Sequence, residues 1–343
     1  MYRWKLSKRK KTCRKNHDPL QRLLIHQRHC KRMRALMAAG DPQDPKWGRY
    51  LPWQRFNVDQ VPLPFVNEME DTIEQRGAMR VHINQHGAAL HKRQCTGQLC
   101  IRSEAPPLPE DATSLQRAAY QPQPRQAIIW RGTGTRISAV EKAARSSEID
   151  HYFQGKAWCD RPTGLAWSRQ TFHQVIDADV RAGIATRDTQ YILFQDNLDA
   201  QIQQAYRDDM KVNNQTSTCD LTPNYTEDEQ PIDDGFGRLV KQYMGEQLDL
   251  WLDDDTNLER WEGHTMTASE RRILLSHWFA AAVKKAFEKT RALRAYFEHT
   301  GCLMTIDGSE DDKIKLEGMQ RKEGEKFEFM HVDVPEQQPA TAD

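Results

Sequence analysis

Apolar and polar positions along the chain follow two periods. "WQRFNVDQV" (53–61) alternates, with Phe56 and Val58 on one side and Asp59 on the other, which predicts a strand. "AMRVHINQ" (78–85), "KRQCTGQLCIRS" (92–103) and "QAIIWRG" (126–132) predict further strands, the first two forming a meander with the opening one. "YILFQDN" (191–197) is a compact apolar run that ends in polar residues, the pattern of a strand buried on both faces.

Between and after these come segments with helical spacing. "HDPLQRLLIHQRHCKRMRALMAAG" (17–40) predicts a basic helix, with Asp18 as cap, Pro19 at its first position and Gly40 at its end. Residues 137–147, 168–183 and 198–213 also read as helices, with a turn rich in aromatics, "HYFQGKAWCDRPTGLAW", between the first two. A helix is expected from about 232 to 252. "TASERRILLSHWFAAAVKKAFEK" (267–289) opens on a capping box, Thr267 to Glu270. Strands first, then a buried strand among helices, predict an α/β sheet with helices on its faces.

Proline placement and charge divide the chain. Pro106, Pro107, Pro109, Pro122 and Pro124 mark residues 103–126 as an exposed, poorly ordered excursion. The expected divisions are a basic helical arm at 1–50, one domain at 51–320 and a loose tail at 321–343. The formal charge is zero, yet residues 1–34 carry thirteen Lys and Arg against Asp18 alone, which leaves the rest at −12. A basic arm on an acidic body predicts a polyanionic partner, and "KLSKRKKTCRK" also fits a nuclear-import signal. No apolar run reaches the length of a membrane span, and no secretory signal stands at the N-terminus, so a soluble intracellular protein is expected.

Seven scattered cysteines without a CxxC pair argue against a disulfide framework. Cys13, His17, His26, His29 and Cys30 match no common zinc spacing. "GTGTR" (132–136) lacks the spacing of a dinucleotide fingerprint.

Three aspartates occupy places where a carboxylate could work. A lone strand acid such as Asp59 is ordinarily a solvated face residue. Asp196 follows the buried strand, where open α/β sheets bind ligands, although an Asx turn or a helix cap would also explain it. "NYTEDEQPIDDGFGRLVK" (224–241) packs Glu227, Asp228, Glu229, Asp233 and Asp234 together. A 100° wheel places Asp233 on the apolar stripe with Val240, Met244 and Trp251, and leaves Asp234 outside it, four residues from Arg238. An inward carboxylate needs a partner, which a metal ion would supply. The three acids before the helix are expected to be solvated. Hard oxygen ligands suit Mg²⁺ or Mn²⁺, and two such ions can clamp a phosphodiester displacement.

"NVDQVPLPF", "KRQCTGQLCI", "IIWRGTGTRIS", "YFQGKAWCD", "ILFQDN" and "LTPNYTEDEQPIDDGFGRLVKQYM" occur in the order found in DDE-type transposases. The chain resembles their pogo/Tigger group, related to centromere protein B, from the basic arm to about residue 318. The resemblance implies an RNase H-like mixed sheet flanked by helices. It implies a catalytic and metal-binding triad of Asp59, Asp196 and Asp233 holding two Mg²⁺ or Mn²⁺ ions. It also implies endonucleolytic cleavage and strand transfer of DNA in the nucleus. DNA is the expected partner, along the arm 1–34 and the active-site groove; a homodimer is compatible with this, and no membrane is involved. Two positions depart from the family's pattern: Gln201 stands where His is frequent, and Gln60 where Glu is frequent. Only the tail of the family's paired helix-turn-helix region is expected ahead of the first strand. The alternative is a transposon-derived nucleic-acid-binding protein that has lost catalysis.

Overall fold

A computed structural model of the chain describes residues 19–44, 46–63, 95–263 and 265–315. The predicted strand at 78–85 and the tail at 321–343 lie outside them, as does the arm before Pro19.

Six strands form one sheet in the order β4-β3-β2-β1-β5-β6. They are β1 (Arg55–Leu63), β2 (Cys95–Arg102), β3 (Ala127–Arg131), β4 (Asp150–Gln154), β5 (Tyr191–Gln195) and β6 (Thr216–Asp220). β2 is antiparallel to both β1 and β3, whereas β1–β5, β5–β6 and β3–β4 are parallel pairs. Every strand except β2 therefore runs the same way, and the loops after β1, β3, β4, β5 and β6 open at one end of the sheet. Three antiparallel strands followed by two parallel ones form the RNase H-like mixed sheet that the resemblance implied, extended by β4.

Alternation along the strands builds two cores. Phe56, Val58, Cys100, Tyr191 and Leu193 face one side. There they meet α4 (Arg161–Trp167), α5 (His173–Arg181) and α7 (Gln204–Asn214) through Trp167, Phe172, Val175 and Met210. Val61, Leu63, Leu99, Ile192 and Phe194 face the other side. They pack beneath α9 (Gly237–Leu252), α11 (Ala268–Phe287) and α12 (Thr290–His299). α1 (Pro19–Ala39) adds Cys30, Met33 and Met37 to this second core. Gly40 ends α1 with φ 91°, and the Thr267 capping box opens α11 as its sequence predicts.

Two strands escaped the pattern. β4 and β6 sit at the sheet edges, and "DHYFQ" and "TSTCD" carry polar residues because an edge strand buries less of its surface. The remaining short helices are α2 (Ser114–Ala119), α3 (Ala139–Ala144), α6 (Asp199–Ile202), α8 (Thr226–Glu229) and α10 (Asp255–Glu262). Residues 103–126 run over the surface, pinned where Gln126 and Gln123 bond the backbone of Cys100 and Arg102. No helix among the described residues is long and apolar enough to cross a membrane.

Candidate active site

Asp59 lies in mid-β1, opposite Leu99, and its side chain shares a face with Asn57 and Val61. The parallel register pairs Val58 with Gln195, so Asp196, the next residue, emerges beside Asp59. The third carboxylate is brought in by Asn57. This wholly buried amide donates from Nδ2 to the Phe194 carbonyl at 3.0 Å and accepts the Ile232 amide on Oδ1 at 2.9 Å. One side chain thus ties β1, β5 and the turn that carries Asp233 into a single unit.

That turn is not a regular α-helix. Ile232–Phe236 forms a π-type turn, broken at Gly235 (φ 174°, ψ −24°), before α9 begins. The 100° wheel holds within α9, where Val240, Tyr243, Met244 and Leu248 are buried, but it does not extend back through the break. Asp233 is accordingly exposed rather than buried against the apolar stripe. Asp234 is half-buried, and its Oδ2 lies 2.7 Å from His299 Nδ1. His299, not Arg238, is its partner.

Asp59 and Asp233 are close enough to perturb one another, and Asp196 acts on both through its charge. Burial pushes the Asp59 carboxyl well above its usual range, and the Asp233 charge adds to this. Although Asp233 keeps an exposed edge, the protein packed around its carboxyl, with the charges of Glu227 and Asp196, pushes it up to about 6. Lys241 acts in the opposite direction. Gln230 is wholly buried and faces Asp59; its amide favours the charged carboxylate without closing a hydrogen bond of good geometry.

The acids ahead of Asp233 divide. Glu227 is exposed, as expected. Asp228 and Glu229 are buried, because α1 reaches them. Arg22 Nε donates to Asp228 at 2.9 Å, and His29 Nδ1 lies 3.7 Å from Glu229, which also accepts the Thr222 amide at 2.7 Å. A carboxylate-rich loop read alone offers no sign of these partners from two hundred residues upstream.

Asp196 takes neither of its bland roles fully. Its Oδ1 accepts the Asn197 amide at 2.7 Å, but α6 starts without any side-chain cap. Gln201 is buried, and its backbone carbonyl accepts from Gln195 Nε2 at 3.2 Å. Gln60 points to the opposite face from Asp59 and accepts the Cys159 amide at 3.3 Å.

The donor chemistry of the site fits a divalent cation. Its ligand atoms are hard oxygens, and two of its carboxyls are held above their usual range by burial and like charge, which a cation would relieve. Among the described residues, no three His, Cys, Asp or Glu side chains form a ready-made metal cluster. The same holds at α1: His26, His29 and Cys30 form no metal cluster there, and Cys13 and His17 lie outside the described residues. Cys30, Cys95, Cys100, Cys159, Cys219 and Cys302 are free thiols. A cavity of about 570 Å³ lined by Tyr120, Arg125, Phe287 and Arg291 lies at the other end of the sheet and takes no part in the site.

No family model matches the sequence, and no curated protein matches it. Among solved structures, the chain is similar to the Mos1 transposase paired-end complex with left transposon end, at 10% identity and a TM-score of 0.42, covering 84% of this chain and 68% of that one. It is similar to the Mos1 mariner paired end complex with Mn at 10% identity and 0.39, covering 84% and 67%. The catalytic domain of Mos1 mariner transposase follows at 10% identity and 0.32, covering 81% and 98%. Likeness this distant leaves the reading of the site to the chain's own residues.

Proposed function

We propose that the protein is a metal-dependent DNA endonuclease of the DDE transposase type, of the pogo/Tigger group, with Asp59, Asp196 and Asp233 as its catalytic and metal-binding residues. One observation carries this reading. Asp196 and Asp233, 137 and 174 positions after Asp59 in sequence, come close enough to it that the three carboxyls act on one another through their charges. The motif resemblance selects the same three residues.

In this reading Asp59 and Asp233, with Asp196 beside them, hold two Mg²⁺ or Mn²⁺ ions. Bound there, such ions supply charge stabilisation to a phosphodiester undergoing in-line displacement. Asn57 keeps the strands and the turn that carry the carboxylates in register. No nucleophilic side chain is required, because water, and then a DNA 3′-hydroxyl, attacks phosphorus. The arm at 1–34 adds salt-sensitive affinity for DNA, and its basic run directs the protein to the nucleus.

The test is nicking of supercoiled DNA by the full chain with Mg²⁺ or Mn²⁺. Wild type is expected to nick, and Asp196→Ala is not. Equal nicking by the two would remove the catalytic assignment. DNA binding without nicking by either would leave a transposon-derived binding protein.

A further inference from the structure

The turn that brings Asp233 to the sheet also carries a buried amide that the fold itself does not use. The Ile232 amide is bonded to Asn57, and a methyl group added at Gly237 would stand 3.3 Å from Val61 Cγ2. Asn57, Asp59 and Val61 share one face of β1, so residues 232–237 run along that face and pass over Asp59. Gln230 stands two residues before Ile232. Its backbone is fully engaged: the amide donates to the Thr226 carbonyl at 2.8 Å, and the carbonyl accepts the amides of Asp233 at 3.0 Å and Asp234 at 3.1 Å. Pro231 confines the residue before it to extended backbone, and Gln230 is found there, at φ −103° and ψ 113°.

With its backbone fixed in this way, the Gln230 side chain is wholly buried and faces Asp59. Neither its Nε2 nor its Oε1 closes a hydrogen bond among the described residues. The contrast with Asn57 is direct, because that amide spends both ends on backbone groups. A buried amide with neither end paired weakens the fold, and an apolar side chain of the same length would not. Sequences break this rule where a site requires it. Gln230 lacks one fixed acceptor and one donor on the Asp59 side. A hydrated divalent cation supplies both: a carboxylate held by a cation is a fixed acceptor, and the waters that Mg²⁺ or Mn²⁺ keeps are donors.

We propose that Gln230 is the outer support of a cation bound at Asp59, its Nε2 donating to the Asp59 carboxylate and its Oε1 accepting from the cation's water. Its backbone carbonyl meanwhile holds the Asp233 amide, so one residue governs the placement of both carboxylates. This rests on the reading of Asp59 and Asp233 as metal ligands, and it makes Gln230 a positioning residue, not a catalytic one.

The test reads cation binding through stability rather than through cleavage. Urea midpoints of the full chain are measured at neutral pH across a Mn²⁺ titration, since a cation held only by the folded state raises its stability as the logarithm of concentration over Kd. The wild-type midpoint is expected to rise, and that of Asp196→Ala to rise little. Gln230→Met keeps the length of the side chain and removes its polar atoms. Without Mn²⁺ it should match or exceed wild type, and it should bind Mn²⁺ about ten- to a hundredfold more weakly. A metal-free midpoint well below wild type, or failure to fold, would show that the amide supports the fold itself and would overturn the proposal. Wild-type Mn²⁺ affinity in Gln230→Met, with Asp196→Ala still unresponsive, would also overturn it and leave the metal reading standing without Gln230. Mn²⁺ that raises wild type no more than Asp196→Ala would remove the metal reading, and the proposal with it.

Discussion

The Ile232 amide donates to Asn57 Oδ1 across 175 residues of sequence, and through it the turn bearing Asp233 is fastened to the strand bearing Asp59. Asn57 makes a second bond to Phe194, next but one to Asp196. Replacing Asn57 by Leu leaves a buried amide and a buried carbonyl without partners, at about 1–3 kcal/mol each. The urea midpoint should fall accordingly, and nicking should fall with it even where the variant is fully folded. An Asn57→Leu protein with wild-type nicking would remove Asn57 from the positioning of the site.

Asp233 and Asp234 are neighbours with different environments. Asp233→Asn should abolish nicking within the limits of the assay, because it removes a ligand oxygen charge. Asp234→Asn breaks only the contact with His299 and should retain activity within a few-fold, with a change of at most about 1 kcal/mol in stability. Comparable losses in the two variants would mean that the π-type turn presents both carboxylates to the chemistry.

Arg102 and Asp179 form a wholly buried pair on the opposite face of the sheet. Arg102 Nη1 donates to Asp179 at 3.1 Å, Tyr191 donates its hydroxyl to the same carboxylate at 3.0 Å, and the guanidinium lies 4.6 Å from the Phe56 ring. Burial nevertheless raises the Asp179 carboxyl above its ordinary range. Arg102→Met strands that carboxylate and should cost about 3–5 kcal/mol by chemical denaturation. The double variant Arg102→Met with Asp179→Leu should recover much of the loss. Failure to recover would show that the aromatic contacts of the guanidinium, rather than the charge pair, dominate.

The helix α1 makes stability depend on pH. Burial, then the neighbouring His29, pushes the His26 imidazole down to about 4, and burial takes His29 down to about 3. Glu229, Asp228 and Arg22 are the other charged groups facing His26. A histidine depressed in the folded state is protonated first in the unfolded chain. Its contribution is complete above about pH 6.5 and is lost as pH falls towards 4. For His26 this amounts to roughly 3 kcal/mol. Raised carboxyls such as Glu229 oppose this trend, so the informative quantity is the difference between wild type and His26→Leu. The urea midpoint of the variant should fall less steeply between about pH 6.5 and pH 4.5. Parallel curves would mean that α1 stays docked with His26 charged.

Much of the sheet was legible from alternation and apolar runs, since β1, β2, β3 and β5 each bury at least one regular face. β4 and β6 were not, because edge strands tolerate polar side chains. The long helices α1, α9 and α11 could be read from their spacing and caps. In the candidate site, Asp59 and Asp196 could be placed by strand logic alone. The side-chain directions of Asp233 and Asp234 could not, because a π-type turn and the break at Gly235 rotate the helix start out of the α-helical period. Asn57 gave one signal that went unused: a polar amide at an inward strand position requires partners. Glu229 gave none, since what buries it is a helix two hundred residues upstream.

Arg22, on the first turn of α1, is bonded to Asp228, five residues before Asp233. Packing of Cys30, Met33 and Met37 fixes the rest of the helix to the body. The chain therefore enters the folded domain at the acidic rim. In the reading proposed above, residues joined ahead of Pro19 that gripped DNA would raise its effective concentration at the carboxylates, as in an intramolecular encounter.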